Sequence, residues 1–487
     1  MLSEHYFGDL ESFDEAHNHY EFFRNTFVAP SSMSIDSLRN DRKFIIVGRK
    51  GVGKTATQMY LAREMEEKGY FTHIFRFMYD LRSDDYSEIS KSQSDISYSD
   101  AANSKNLFLH YDFRDVWERV FFRRIGEKLR NEGHTNSFVD LVAPTGSKFK
   151  NIFDGISKSL SIKISVPMGP ALVSAGLDLE CDATNDTIPL KTFNRISREL
   201  FQRECTPYQM YFFIDELVFS RLDAKDDEVT LRAAMVRDIL RCAWELNSFC
   251  VQNDLKFHFV CSIRPEIRSL IGDYDSEAGK FLDGKDVELS WITTDGKEGQ
   301  LIKEVFKRKV EHSFRSKIDF DKFVTPNISF GSKTDTLEEF LLTNTWGRPR
   351  DVVRLLNSIQ KKSPNAATMD EDSIKASLDD YSRASSKELI DELGVSYGPK
   401  ILQALRLGIN RKTFSTKQHL KDALAPTLGD KTTNALIDEF FQLGLIGGYN
   451  HQNGHYFWAH RGENFLKGHH QIRIHHALWN DFSIRDR

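Results

Sequence analysis

Cysteine is scarce in this chain. Only five occur in 487 residues, at Cys181, Cys205, Cys242, Cys250 and Cys261, and no two form a C-x-x-C pair. That spacing argues against a disulfide scaffold or a thiolate zinc site and predicts inert, reduced thiols in a cytoplasmic protein. Long apolar runs are missing as well: nothing approaches the roughly 18 residues of a membrane span, so no membrane contact is expected. The opening MLSEHYFGDLESFDE is acidic and has no apolar stretch of secretory-signal type. Nor is either charge in large excess. Lysine and arginine number 66 against 71 aspartates and glutamates, a net −5. Nothing therefore pulls the whole molecule towards nucleic acid, and any such contact needs a local patch.

What is present is a globular composition, 40% hydrophobic and 28% charged with 37 phenylalanines. The length predicts roughly two to four domains. One stretch stands out: Gly48-Arg49-Lys50-Gly51-Val52-Gly53-Lys54-Thr55 fits G-x-x-x-x-G-K-[ST]. It follows the apolar run Phe44-Ile45-Ile46-Val47 and precedes a helix-like segment that opens at Ala56. Strand, glycine-rich turn and helix in that order make a phosphate loop, whose backbone N–H groups face phosphate oxygens beside the positive end of the helix. Lys54 is expected to reach the β- and γ-phosphates and Thr55 to ligate Mg²⁺. The alternative is a glycine-rich turn with a snorkelling lysine, which the register of all three elements disfavours.

Around that loop the expected organisation is a polar lead (1–42), a nucleotide core (43–295), a helical lid (296–393) and a last domain (394–487). The lead carries one helix over 12–27 with an aromatic face of Tyr20, Phe22, Phe23 and Phe27. Core strands are expected at 71–77, 208–214, 257–261 and, more weakly, 287–291, with helices at 112–131 and 228–251. The near-continuous apolar strands interleaved with helices predict an α/β parallel sheet of the P-loop kind. Residues 82–107, rich in Ser, Asp and Asn, read as an insertion. A second insertion at 145–182 reads as a β-hairpin turning near Pro167 to Pro170. Beyond residue 297 strand signals fade, and helices are expected at 299–313, 337–345, 349–360 and 370–393. The final domain reads as helices at 399–407, 416–425 and 431–445, then a hairpin at 447–460, which is a winged-helix order.

The strand Phe212-Phe213-Ile214 ends in Asp215-Glu216. Asp215 is expected in the metal shell and Glu216 as the base or water-positioning group for γ-phosphate hydrolysis. A solvated turn is the bland alternative, and the upstream loop favours the site. After the next strand, Cys261-Ser262-Ile263-Arg264-Pro265-Glu266 offers Ser262 and Arg264 to the γ-phosphate side, with a capped loop and surface arginine as an equal alternative. Gly347-Arg348-Pro349-Arg350-Asp351 opens a lid helix; proline is ordinary there, but a guanidinium matches phosphate geometry, and Arg350 is preferred to Arg348.

Together these pieces resemble the AAA+ and STAND superclass of P-loop ATPases, especially its origin-recognition-like branch and related prokaryotic defence ATPases. The resemblance covers most of residues 43–390. It implies Lys54 and Thr55 as Walker A, Asp215 and Glu216 as Walker B, Ser262 or Arg264 as sensor 1 and Arg350 as sensor 2, with Pro349 against the adenine. Arg221, Arg232 and Arg264 remain open as an arginine finger. It also implies ATP and Mg²⁺ as cofactors and ATP/ADP as the small-molecule partner. The function expected is an ATPase switch or assembly factor that self-associates and acts with a separate effector, in prokaryotic antiviral defence. The alternatives are a DNA-binding loader or remodeller, or a nucleotide-gated scaffold without hydrolysis. Lys431 is the only base in the recognition-helix segment KTTNALIDEFFQLGL, which favours protein packing over DNA. Arg461, Lys467, Arg473, Arg485 and Arg487 leave a small phosphate patch open. The late histidines (His451, His455, His460, His469, His470, His475, His476) lack Cys or acidic partners at metal spacing and read as solvated or core side chains.

Overall fold

A computed structural model describes residues 1–30, 37–38, 43–82, 112–144, 190–217, 226–275, 282–291, 298–314, 317–330, 333–397, 400–451, 455–461, 463, 465–466 and 470–484. The insertion expected at 82–107, from residue 83 on, and the hairpin expected at 145–182 lie outside the described residues, as do Arg221, Lys467, His469, Arg485 and Arg487.

Five strands form one sheet: β1 (Ile45–Val47), β2 (Phe71–Arg76), β3 (Gln209–Leu217), β4 (Lys256–Ile263) and β5 (Asp286–Glu288). The order is β2-β3-β4-β1-β5 and every pairing is parallel. Successive residues of a strand point to opposite faces, and here each face has its own core. Ile45, Val47, Met210, Phe212, Ile214, Phe257, Phe259 and Cys261 pack on one side with Trp117 and Phe121 of α4 (Arg114–Asn131), Phe201 of α5 (Leu190–Glu204) and Leu240 of α6 (Asp226–Gln252). Ile46, Tyr211, Phe213 and Val260 face the other core with Leu61 and Met65 of α3 (Lys54–Glu67). Each such buried side chain is worth about 1.5–3 kcal/mol, which is why the interior strands read as unbroken apolar runs. The weak fifth strand ends earlier than expected. Leu289 and Trp291 leave the sheet edge, with Leu289 N–H donating to the Val47 carbonyl at 2.7 Å and Trp291 Nε1 to the Val52 carbonyl at 3.0 Å.

The opening residues are no loose lead. Leu2 and Phe7 are buried, and Gln360 Nε2 donates to the Leu2 carbonyl at 2.7 Å. The helix expected at 12–27 is two, α1 (Ser12–Asn18) and α2 (Tyr20–Thr26), broken at His19 (φ −134°, ψ 48°). Its ring stacks on Tyr6 at 3.9 Å. Phe27 stacks on Tyr60 of α3 at 4.1 Å, fixing this corner to the core.

Beyond the sheet come α8 (Glu298–His312), a hairpin of β6 (Asn327–Phe330) and β7 (Lys333–Thr336), α9 (Leu337–Asn344), α10 (Pro349–Lys362) and the 27-residue α11 (Glu371–Tyr397). The hairpin corrects the expectation of helix alone: its strands bury only Ile328 and Asp335, so they carry almost no apolar signal. After α11 come α12 (Lys400–Gly408), β8 (Thr413–Phe414), α13 (Lys417–Leu428), α14 (Asp430–Leu443), β9 (Ile446–Asn450), β10 (His455–Phe457) and β11 (Gln471–Ile474). Their antiparallel sheet runs β10-β9-β11-β8. The hairpin of β9 and β10 lies where it was expected; β8 and β11 are too short to announce themselves. Among the described residues no helix is long and apolar enough to cross a membrane.

Candidate functional site

The site is assembled at the carboxyl ends of β1, β3 and β4. Open α/β sheets bind ligands there, where the chain switches direction across the sheet. From β1 the chain crosses to the far edge (β2), returns through β3 and β4, and then passes β1 to β5. The loop leaving β1 turns through Gly51 (φ +82°) and Gly53 (φ +98°). These left-handed values suit only glycine without strain. Gly53 caps α3, so the helix's unpaired N–H groups open into the loop. Lys54 Nζ donates to the Gly48 carbonyl at 2.7 Å and the Arg49 carbonyl at 3.1 Å. Burial, then the nearby Arg264 cation, lowers its pKa to about 8 against the pull of Asp215 and Glu266.

Strand β4 lies between β1 and β3, and that insertion organises the acid. Thr55 Oγ1 donates to Asp215 Oδ2 at 2.6 Å, and Ser262 Oγ, on the intervening strand, donates to Asp215 Oδ1. Both oxygens of a carboxylate only 2% exposed are thereby satisfied. Ser262 does not line the cavity. Instead of meeting phosphate directly, as the sequence suggested, it orients Asp215.

Glu216 follows Asp215, and strict alternation would send the two to opposite faces. A bulge prevents it: the pairing of β3 with β4 slips between Ile214 and Leu217, and Glu216 takes φ +59°. Both carboxylates now line one cavity. Among the described residues Glu216 Oε2 is buried without a hydrogen-bond partner. Burial, then the neighbouring Asp215 charge, raises its pKa to about 7, with Arg76 opposing.

That cavity encloses about 510 Å³, within the range of small-ligand sites. Lys50, Gly51, Val52, Gly53, Lys54, Thr55 and Ala56 form one wall, with Asp215, Glu216 and Arg264; Pro349 and Arg350 of α10 face them. Arg264 caps the start of α7 (Pro265–Tyr274) and lies 3.6 Å from the Glu266 carboxylate. Arg348 is elsewhere: its Nε donates to Asp351 at 2.5 Å, its Nη1 to the Lys50 carbonyl at 3.2 Å, and its guanidinium lies 5.1 Å from the Trp346 ring centre. It braces the loop at Lys50 and Gly51. Gly48 is not on the cavity wall either, and Arg49 points its guanidinium at α14.

Sequence reasoning missed three groups of residues. Asp9, Glu11, Glu15 and Thr26 close the cavity from the opening segment, where nothing but the acidity of the first three distinguishes them. Lys309 of α8 forms a buried ion pair with Glu15 at the cavity edge. Glu388 of α11 gathers Lys50 at 3.4 Å, Arg350 at 3.2 Å, and Arg354. Burial works to raise its pKa, yet Arg354, Lys50, Arg350 and Arg348 together hold it near 2. No local motif marks any of these. The donor set at the loop, a threonine hydroxyl and two carboxylates of which one oxygen is buried and orphaned, consists of hard oxygens and fits Mg²⁺.

Residues 300–390 match the family described as the FunZ-associated C-terminal helical domain. No curated protein matches the chain. Among solved structures, Cdc6p from Pyrobaculum aerophilum aligns over 96% of this chain and 88% of its own, at 11% identity and a TM-score of 0.31. That likeness is too slight to carry a conclusion about function.

Proposed function

We propose that this chain binds a nucleoside triphosphate, ATP by its resemblance, with Mg²⁺, and hydrolyses it as a nucleotide-dependent switch. The observation carrying this reading is the convergence of Lys54, Thr55, Asp215 and Glu216 on one cavity. The phosphates lie in the loop at the start of α3, with Lys54 across their oxygens. Thr55 and Asp215 are the residues that would hold Mg²⁺, which when bound neutralises charge on the β- and γ-oxygens. Glu216 Oε2 takes a proton from water as that water's oxygen bonds to the γ-phosphorus. The bond from the γ-phosphorus to the bridging oxygen breaks, leaving ADP and inorganic phosphate. Arg264 from the core and Arg350 from the lid face the same charge.

The AAA+ and STAND assignment, the winged-helix reading of residues 394–487, self-association, a separate effector and a cytoplasmic antiviral setting rest on the resemblance of the motifs. A second reading, a nucleic-acid remodeller, draws on one surface. Lys412 and Arg473 lie 4.3 and 4.9 Å from the Trp479 ring centre, and Arg473 also approaches Tyr456 at 6.0 Å. Salt-dependent DNA binding lost in Arg473→Glu supports that reading; no binding in low salt removes it.

Calorimetric titration with ATP and Mg²⁺ tests the main proposal. Binding by the parent and its loss in Lys54→Ala are expected. No affinity for any purine triphosphate, or a Lys54→Ala variant that behaves like the parent, overturns it. A non-hydrolysing scaffold is recognised separately, by Glu216→Gln leaving function unchanged.

A further inference from the structure

We propose that Glu388 sets the preference of this cavity between triphosphate and diphosphate, by competing with the terminal phosphate for Lys50 and Arg350. The proposal rests on the nucleotide-binding reading above and deepens it.

Glu388 does not itself line the cavity, but two of its three cationic partners do. Lys50 belongs to the phosphate loop, and Arg350 packs on that loop beside Arg348: Arg350 Cβ, Arg348 Cδ and Arg348 Nε are each 3.5 Å from where a Cβ on Gly51 would stand. Oε1 of Glu388 faces Lys50 Nζ and Arg350 Nη1, while Oε2 accepts from Arg354. The third partner is held independently, since Arg354 Nη1 donates to the fully buried Asp351 at 2.6 Å. Arg350's other carboxylate is Glu11, at 3.6 Å and 66% exposed, a weak hold by comparison. Glu388 is therefore fixed by Arg354 while Lys50 and Arg350 are shared between it and the cavity.

A diphosphate ends inside the cradle made by Lys54 and the start of α3. A third phosphate adds charge at the open end of the loop, beside Lys50 and Arg350. Its oxygens and the Glu388 carboxylate then seek the same donors, and each charge-assisted contact moved to phosphate is lost to Glu388. Neutralising Glu388 lifts that competition for the triphosphate and leaves the diphosphate almost untouched. The exchange also reaches the last domain. Asp481 N–H donates to Ser382 Oγ at 2.9 Å, and Ser386 Oγ donates to the Asp481 carboxylate, both serines lying on α11 within two turns of Glu388.

The test is calorimetry on the full chain with ADP and with a non-hydrolysable ATP analogue, each with Mg²⁺. Glu388→Gln keeps the shape of the side chain and is expected to raise analogue affinity about tenfold, with ADP changing less than about twofold. Glu388→Asp, which withdraws the carboxylate by one methylene, shifts the ratio the same way by a smaller factor and serves where the Gln variant does not fold. In a Lys50→Met background the effect of Glu388→Gln on the ratio shrinks, because one of the two contested cations is gone. A purely structural Glu388 would weaken or strengthen both nucleotides together; an unchanged ratio therefore overturns this proposal alone. A parent protein with no nucleotide affinity overturns the nucleotide reading and this proposal with it.

Discussion

Arg49, second residue of the phosphate loop, donates from Nη1 to the carbonyl of Gln442 near the end of α14 at 2.6 Å, and from Nη2 to Gln442 Oε1 at 3.2 Å. The loop that would hold phosphate is thus tied directly to the last domain. Losing a charged donor to a backbone carbonyl costs about 1 kcal/mol. Arg49→Ala is expected to speed amide exchange in α14 and β9 by about fivefold while β3 and β4 exchange as in the parent. Unchanged protection of α14 would show that the tie carries no energy.

The two shifted groups at the cavity predict a bell-shaped pH profile. In the proposed hydrolysis Glu216 acts as a base only when ionised, so activity is expected above its pKa of about 7 and falls as pH drops through it. In the same proposal Lys54 acts as a cation, so activity is expected to fall as pH rises through its pKa of about 8. The profile of kcat/KM for ATP hydrolysis, which reports the free enzyme, should peak in the narrow window between. Lys54→Arg should flatten the alkaline limb in whatever activity remains; a profile flat from pH 6 to 9 contradicts both assignments.

Glu216 also couples function to strain. A non-glycine residue at φ +59° costs on the order of 1 kcal/mol, and its Oε2 is buried unpaired. Glu216→Gly is expected to raise the urea midpoint of the nucleotide-free protein by about 1 kcal/mol of stability and to abolish turnover. Glu216→Gln should cut turnover by about 10²–10⁴ with ATP affinity retained. A lower midpoint for the glycine variant would show that the backbone there is unstrained.

Trp346 ties the turn between α9 and α10 to the residues that follow α14 and β11. Its Nε1 donates to the Gly444 carbonyl at 2.7 Å, and its ring stacks on His475 at 4.0 Å with 8° between planes. Trp346→Ala leaves a cavity and an orphaned carbonyl, and is expected to cost about 3–5 kcal/mol. Separate melting of the last domain in calorimetry would be its signature; a parent-like single transition at the same temperature would count against it.

Much of the sheet was legible in the residues. The runs ending at Val47 and Ile214 are almost continuously apolar, and the one ending at Ile263 is broken only by His258 and Ser262, because both faces of those strands are covered. The phosphate loop was legible for a different reason: eight adjacent residues specify its backbone, and glycine at 51 and 53 marks the left-handed turns. The hairpin of β6 and β7 was not, since polar four-residue strands carry no period to read.

By itself, the sequence determined the elements whose conformation depends on near neighbours: the loop, the helix it caps, and the strand that ends in two acids. Tertiary structure alone decided which side chains share the cavity. A bulge turned Glu216 to the side of Asp215, α10 set Arg350 on the cavity wall, and long-range packing added Glu15 and Lys309 to the lining and paired Glu388 with Lys50 and Arg350. The reason is one of range. Backbone turns are set by local sterics, whereas the direction and charge environment of a side chain are set by segments hundreds of residues away, which no spacing along the chain encodes.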